Sequence, residues 1–329
     1  MSHYVNPCKM RTDADSHEPD PPEKQISEVL NSYLEASRSR FESTIAVLPS
    51  VSSIRIPKIE IRFHHLKFDG DNRPRVSALA EILVDHLIQF CLSERRFQRR
   101  DSYPLEDTQI ANREARRLLR RAKTGGEAGE MLLYFFMEVV LKAPQVVCKM
   151  ELKGRSDVEV LGSDGIHLRW SETDRVFDVF FGESKLEQTS SAAIRNAAKS
   201  IETFHQKRVR DSEVKLVTAQ FKYLDDAGKA VASQIAQSSS LGRGLRTNHA
   251  CLMGFDSKAY GGALESSFQD AEQEFAKAYL EKADDFGSLI AKHFAPLQWT
   301  GARFEIFVLP FPSVEEFRSE LDLALGGKI

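Results

Sequence analysis

Two residues of this 329-residue chain stand where side chains could do chemistry: Glu183 and Lys185, in Gly182-Glu183-Ser184-Lys185. They follow a run, Val176-Phe177-Asp178-Val179-Phe180-Phe181, that is nearly all apolar. Such a run is expected of a strand covered on both faces, and residues two apart on a strand share a face. A carboxylate and an ammonium group therefore leave a buried strand side by side. Nineteen residues before Glu183, Asp164 precedes a second β-like run that starts at Ile166. If 171–175 is a turn, the two runs form a hairpin and Asp164 comes to lie near Glu183 at one edge. Two carboxylates beside a lysine suit phosphodiester hydrolysis. Clustered carboxylate oxygens are a hard ligand set for Mg²⁺ or Mn²⁺, which polarises a phosphoryl oxygen and helps ionise an attacking water. Lysine adds a compact positive charge whose pKa falls on desolvation. The pattern is short, and on an exposed strand Glu183 and Lys185 would be an ion pair worth little. Its weight comes from its setting.

The elements that must hold these residues can be read outward from them. Residues 127–141 are apolar nearly all round, as in a helix packed deep in a molecule. Glu127, Glu130, Tyr134 and Glu138 recur at spacings of three and four, on one stripe. Carboxylates on a buried stripe need a cation or water beside them, and Glu130, with Glu127 before it, offers a further carboxylate to a metal or its waters. Three β-like runs follow at 146–152, 166–170 and 176–181. Residues 190–204 form an amphipathic helix with Ile194, Ala197, Ala198, Ile201 and Phe204 inward; Arg195, Asn196 and Lys199 lie opposite, facing solvent or a DNA backbone. Strands at 250–255 and 304–309 are separated by a long helix over 266–293, and Ser313 with Glu316 opens a last helix as a capping box. This order implies an α/β fold, a mixed sheet flanked by helices.

Before this region the pattern differs. Residues 1–25 hold Pro7, Pro19, Pro21 and Pro22 among acids, with few apolar residues to offset the entropy of ordering, and read as a flexible tail. Residues 54–68 alternate as a half-buried strand, and 76–90 place Leu79, Ile82, Leu83, His86, Leu87 and Phe90 at helical spacing. Between 95 and 123 lie ten Lys or Arg and four acids, with Arg113, Arg116, Arg117, Arg120 and Arg121 on one helix face. That ridge is either solvated or turned to phosphates or a partner. The expected organisation is a tail (1–25), an N-terminal α+β lobe with the basic helix (26–124) and a catalytic domain (125–329).

Composition excludes several classes. With 45 Lys+Arg against 48 Asp+Glu, the net charge of −3 is not that of a globally basic nucleic-acid coat. Cys8, Cys91, Cys148 and Cys251 are too far apart for a zinc pair or a disulfide framework, which suits a reducing compartment. No run approaches the roughly 20 apolar residues of a membrane span. The start, Met1-Ser2-His3-Tyr4, lacks a secretory profile, so a cytoplasmic protein is expected. His64-His65 has no carboxylate at ligand spacing and reads as structural. Gly242-Arg243-Gly244 lacks the Lys-Ser/Thr of a P-loop.

The order of strands and helices around Asp164 and Glu183-Ser184-Lys185 resembles the restriction-endonuclease-like core of the PD-(D/E)xK nuclease superfamily. Within it, five segments are similar to the HamA family, the nuclease subunit of Hachiman anti-phage defence. They are Gly125-Gly126-Glu127-Ala128-Gly129-Glu130, Lys149-Met150, Gly162-Ser163-Asp164-Gly165-Ile166-His167, Phe181-Gly182-Glu183-Ser184-Lys185-Leu186 and Ala197-Ala198-Lys199-Ser200-Ile201. Gly254-Phe255-Asp256 and the stretch from Phe307 to Val314 continue the likeness. The resemblance implies Asp164 and Glu183 as metal-binding carboxylates, Lys185 as the catalytic lysine and Glu130 as the helix carboxylate. It implies Mg²⁺ or Mn²⁺ as cofactor, DNA as substrate and a helicase subunit, HamB, as partner. Here Ser163 stands where the superfamily pattern has proline. Asp157 offers a competing acid; Asp164 is preferred because it abuts the strand and carries the family's Asp-Gly-Ile-His. His167, three residues on, is either a structural strand histidine or a neighbour of the site. The expected function is a metal-dependent DNA endonuclease acting with a helicase; the alternative is a catalytically silent DNA-binding or scaffold subunit that regulates the helicase.

Overall fold

The computed structural model describes residues 22–48, 54–93, 105–121, 126–153, 162–206, 209–222, 225–240, 244–264 and 271–326. Among them are eight strands: β1 (Ile45–Val47), β2 (Ile54–Ile56), β3 (Ile59–Leu66), β4 (Gln145–Val147), β5 (Ile166–Ser171), β6 (Val176–Glu187), β7 (Leu245–Asp256) and β8 (Arg303–Phe311). They form one mixed sheet in the order β1-β3-β8-β7-β6-β5-β4, with β2 paired to β3. β3, β8, β7 and β6 run parallel, and β5 and β4 continue antiparallel. This is the mixed α/β core of a restriction-endonuclease-like fold. The N-terminal α+β lobe shares its sheet through β3 and β8.

The centre of the sheet is buried on both sides, as the apolar run of β6 requires. Its alternation sorts the neighbours. Phe181 meets Phe204 of the helix Ser190–Gln206, with ring centroids 5.0 Å apart. Gly182 turns instead toward the helix Glu127–Val139, where a Cβ would come within 2.9 Å of Leu133. Odd-numbered positions of this stretch therefore face Ser190–Gln206 and even-numbered ones face Glu127–Val139. Asp178, near the start of β6, accepts from Arg169, Arg246 and Asn248. Burial alone would raise its carboxyl, but those donors hold it below the usual range.

Several expectations change in detail. The 54–68 run breaks at Pro57-Lys58 into a hairpin, with Lys58 at φ 65°. The 76–90 helix divides at His86, whose Nδ1 lies 2.8 Å from the Ile82 carbonyl. The run at 146–152 is a three-residue strand followed by the helix Lys149–Lys153. The helix expected over 266–293 is a pair, Ala271–Leu280 and Ala283–Phe294. Two helices the pattern did not disclose, Val209–Ala219 and Asp226–Ser240, lie between Ser190–Gln206 and β7. Of the expected tail, residues 1–21 lie outside the described residues, and a helix, Pro22–Ser32, already spans its end. Ser313 caps the last helix, Val314–Ala324, accepting from the Glu316 N–H at 3.2 Å. Among the described residues, no helix is long and apolar enough to cross a membrane.

Candidate functional site

The site is built on the β5–β6 hairpin. Its ladder runs from Ser171↔Val176 to Ile166↔Phe181, closed by a turn in which Arg175 takes φ 54° and bonds the Ser171 carbonyl at 2.7 Å. Beyond the ladder, the Asp164 N–H donates to the Gly182 carbonyl at 2.8 Å and the Gly182 N–H to that of Gly165 at 2.9 Å. These bonds set Asp164 and Gly165 together against Gly182, so Asp164 lies beside Glu183. One oxygen of Asp164, Oδ2, accepts from the Ser184 N–H at 2.6 Å and from its hydroxyl at 2.7 Å. Among the described residues, the donors to Asp164 meet Oδ2 and not Oδ1. Lys185 Nζ lies 2.6 Å from Glu183 Oε1. The expected trio of Asp164, Glu183 and Lys185 is thus gathered at one end of β6.

Asp164, Glu183 and Lys185 open, with Asn196, Lys199 and Ser200, onto a cavity of about 880 Å³ between β6 and the helices Ser190–Gln206 and Val209–Ala219. Burial pushes the Glu183 carboxyl up to about 7, and the Asp164 charge pushes it further the same way; Lys185 and Ser200 offset only part. Burial would lower the Lys185 ammonium, but Glu183, Asp164 and Glu187 reverse the sign and raise it. Two carboxylates that repel each other at a cavity wall, with one cation between them and solvent, form a donor set that fits a hard divalent ion.

Glu130 does not join them. The helix Glu127–Val139 packs where Gly182 and Ser184 point; a Cβ on Gly129 would meet the Ser184 hydroxyl at 2.8 Å. Glu183 and Lys185, on odd positions, face the other way. Glu130 is buried but is not among the residues lining the cavity. Among the described residues, no group of three or more His, Cys, Asp or Glu is placed to hold a metal, so the set Asp164, Glu183 and Glu130 is not assembled. The physical reason is the two-residue period of β6, which hands Ser184 rather than Glu183 to the carboxylate helix. At Glu138 the expected cation is Lys222, whose charge lowers the carboxyl that burial raises, and Glu138 also accepts the N–H groups of Glu35 and Ala36 at 2.8 Å and of Gln145 at 3.2 Å. Glu127 is half-buried at the helix start.

The other candidates sort as follows. Asp157 lies outside the described residues, as does most of Gly242-Arg243-Gly244. His167 is buried, with Nδ1 2.7 Å from the Ala143 carbonyl and burial holding its imidazole down to about 3, so it is a neutral residue of the strand interior. His64 is neutral for the same reason, packed against Phe136 and Phe307; His65 lies 3.2 Å from Glu272. Along the basic helix, Leu105–Arg121, Arg113 and Arg117 are exposed, whereas Arg116 bonds Asn112 at 2.6 Å and the Ala324 carbonyl. Arg195 is exposed, Lys199 lines the cavity, and Asn196 donates to Glu187 at 2.8 Å.

Sequence reasoning missed Ser184 and Ser200, which donate to the two carboxylates. It also missed Lys149, Ser163 and Glu213, which meet at the cavity wall. Ser200 had a signal: with Asn196, Lys199 and Thr203 it makes a polar stripe at spacings of three, one and three, all lining the cavity. Glu213 had none, because its helix was not foreseen.

The HamA family model matches residues 45–325. No match to the chain is found among curated proteins.

Proposed function

Because the chain belongs to the HamA family, within the PD-(D/E)xK nuclease superfamily, we propose that it is a metal-dependent DNA endonuclease, the effector of an anti-phage complex with a helicase subunit of the HamB type, working in the cytoplasm. The observation that carries this reading is the pairing of Asp164 with Glu183 at a cavity wall, with Lys185 at 2.6 Å. Asp164 and Glu183 are the residues that would hold Mg²⁺ or Mn²⁺. Such an ion, when bound, supplies positive charge to a phosphoryl oxygen and acidifies water.

The side chains do the rest. Lys185, 2.6 Å from Glu183, is a cation at the cavity wall that orients water and neutralises charge growing on the phosphate. Ser184 keeps Asp164 turned toward the hairpin edge. Lys199, exposed on the cavity rim, meets the backbone of the entering strand. Purified protein, alone or with its helicase, should cleave plasmid DNA with Mg²⁺ and not with EDTA. Robust cleavage by Glu183→Ala or Lys185→Ala protein would sink the assignment.

One observation favours a second reading: only two carboxylates are gathered, and no third ligand joins them among the described residues. A catalytically silent subunit that binds DNA and regulates the helicase would keep the fold and need no more. Co-elution with the helicase and DNA, without metal-dependent cleavage by wild type, would select it.

A further inference from the structure

At the wall of the cavity lies a buried polar cluster, with Ser163 and Glu213 in the lining, that the proposed chemistry does not use. Lys149, first residue of the helix Lys149–Lys153, is 2% exposed, and Glu213, on Val209–Ala219, is 1% exposed. Their Nζ and Oε1 are 2.6 Å apart. Between them sits Ser163. Lys149 Nζ donates to the Ser163 carbonyl at 2.7 Å and to its hydroxyl at 3.1 Å. The hydroxyl in turn has Glu213 Oε2 at 3.0 Å and the Gly165 carbonyl at 3.1 Å as acceptors. The chain is pressed onto this cluster: Gly162 takes φ +112°, and a Cβ there would lie 2.6 Å from Glu213 Oε1. The next residue is Asp164.

We propose that Lys149 and Glu213 are positioning residues, a buried ion pair that clamps Ser163 and so fixes Asp164 beside Glu183. The proposal rests on the reading of those carboxylates as a cation site. From Asp164 onward the chain is held by β6, through the bonds to Gly182 and Ser184; immediately before it, the clamp is the anchor. Stability alone is a poor reason for such a pair, since an apolar pair of similar volume generally does as well or better in an interior. What apolar side chains cannot supply is directional bonds to one serine's carbonyl and hydroxyl. Groups that orient a ligating carboxylate in this way commonly change metal affinity about 10–100-fold when removed.

The test uses the full chain and Mn²⁺ alone, with affinity read by calorimetry and folding by thermal denaturation. The double variant Lys149→Met/Glu213→Leu, which leaves no charge buried without its partner, is expected to melt close to wild type yet bind Mn²⁺ about 10–100-fold more weakly. Ser163→Ala, which removes a single hydroxyl, is expected to weaken binding in the same direction and decides the matter if the double variant does not fold. Unchanged Mn²⁺ affinity in these folded proteins, while Glu183→Gln abolishes binding, overturns the clamp and leaves the site reading intact. If wild type itself takes no Mn²⁺, the site reading fails and the clamp with it.

Discussion

Glu183 and Glu138 are two buried glutamates whose carboxyls are both pushed up to about 7, in each case chiefly by burial. Each has a lysine near it. Yet Glu138 is enclosed by donors: three backbone N–H groups, two of them from the N-terminal segment at Glu35 and Ala36, with Lys222 close by. Lys222 is itself tied to Glu35 and to the Gln89 carbonyl, both at 2.8 Å. Glu183 faces a second carboxylate, Asp164, as Glu138 faces Glu35, but it pairs directly with Lys185 and has a cavity beyond. Desolvation is thus the same in both places and does not mark function. What separates them is enclosure: backbone donors close around Glu138, whereas Glu183 and Asp164 open onto a cavity.

Substitutions should split the pair. The largest effect is expected at the open site: Glu183→Gln or Lys185→Ala should lower metal-dependent DNA cleavage on the order of 10²–10³-fold, measured on plasmid; the melting temperature should stay or rise in Glu183→Gln, which relieves a repelled carboxylate, and fall in Lys185→Ala, which leaves both carboxylates without their cation. Glu138→Ala should do the reverse. It orphans buried N–H donors and should cost about 3 kcal/mol of stability, read by urea denaturation, with cleavage per folded molecule preserved.

A smaller effect sharpens the contrast through pH. A cation at Glu183 must displace the proton that burial and Asp164 favour, so Mn²⁺ affinity should rise about tenfold per pH unit below about 7 and level off above it. Calorimetry across pH 5.5–8.5 (~3 units) checks the sign; affinity that falls as pH rises would contradict it. The smallest effect is expected at Glu130. Behind Ser184 and off the cavity, its change to Gln should lower cleavage by less than about tenfold, and a loss matching that of Glu183→Gln would show that the carboxylate helix reaches the metal.

How much of this was legible depended on range. The apolar run of β6, the turn before it and the amphipathic stripe of Ser190–Gln206 are local patterns with two periods, and they were enough to bring Asp164, Glu183 and Lys185 together. Glu130 shows the limit. Its helix was correctly read as buried, but which face of β6 it covers depends on the packing of Gly129 against Ser184, a contact across more than fifty residues that no period encodes. Glu138 shows another: a stripe of buried carboxylates was expected to need a cation or water, and the Lys222 ammonium meets that need together with backbone N–H groups from 35, 36 and 145, all distant in sequence or hidden from its period. The Lys149–Ser163–Glu213 cluster joins three segments, one on a helix whose pattern was too mixed to detect, and polar groups that meet only in the folded state leave little trace in spacing.

The contrast between Glu183 and Glu138 can be tested in one crystal. Anomalous difference density from a crystal soaked in Mn²⁺ should show a peak bridging Asp164 and Glu183, with carboxylate oxygens at roughly 2.0–2.6 Å, and none at Glu138. Absence of a peak at Asp164 and Glu183, or a peak seated instead among Glu138, Glu35 and Lys222, would contradict the account.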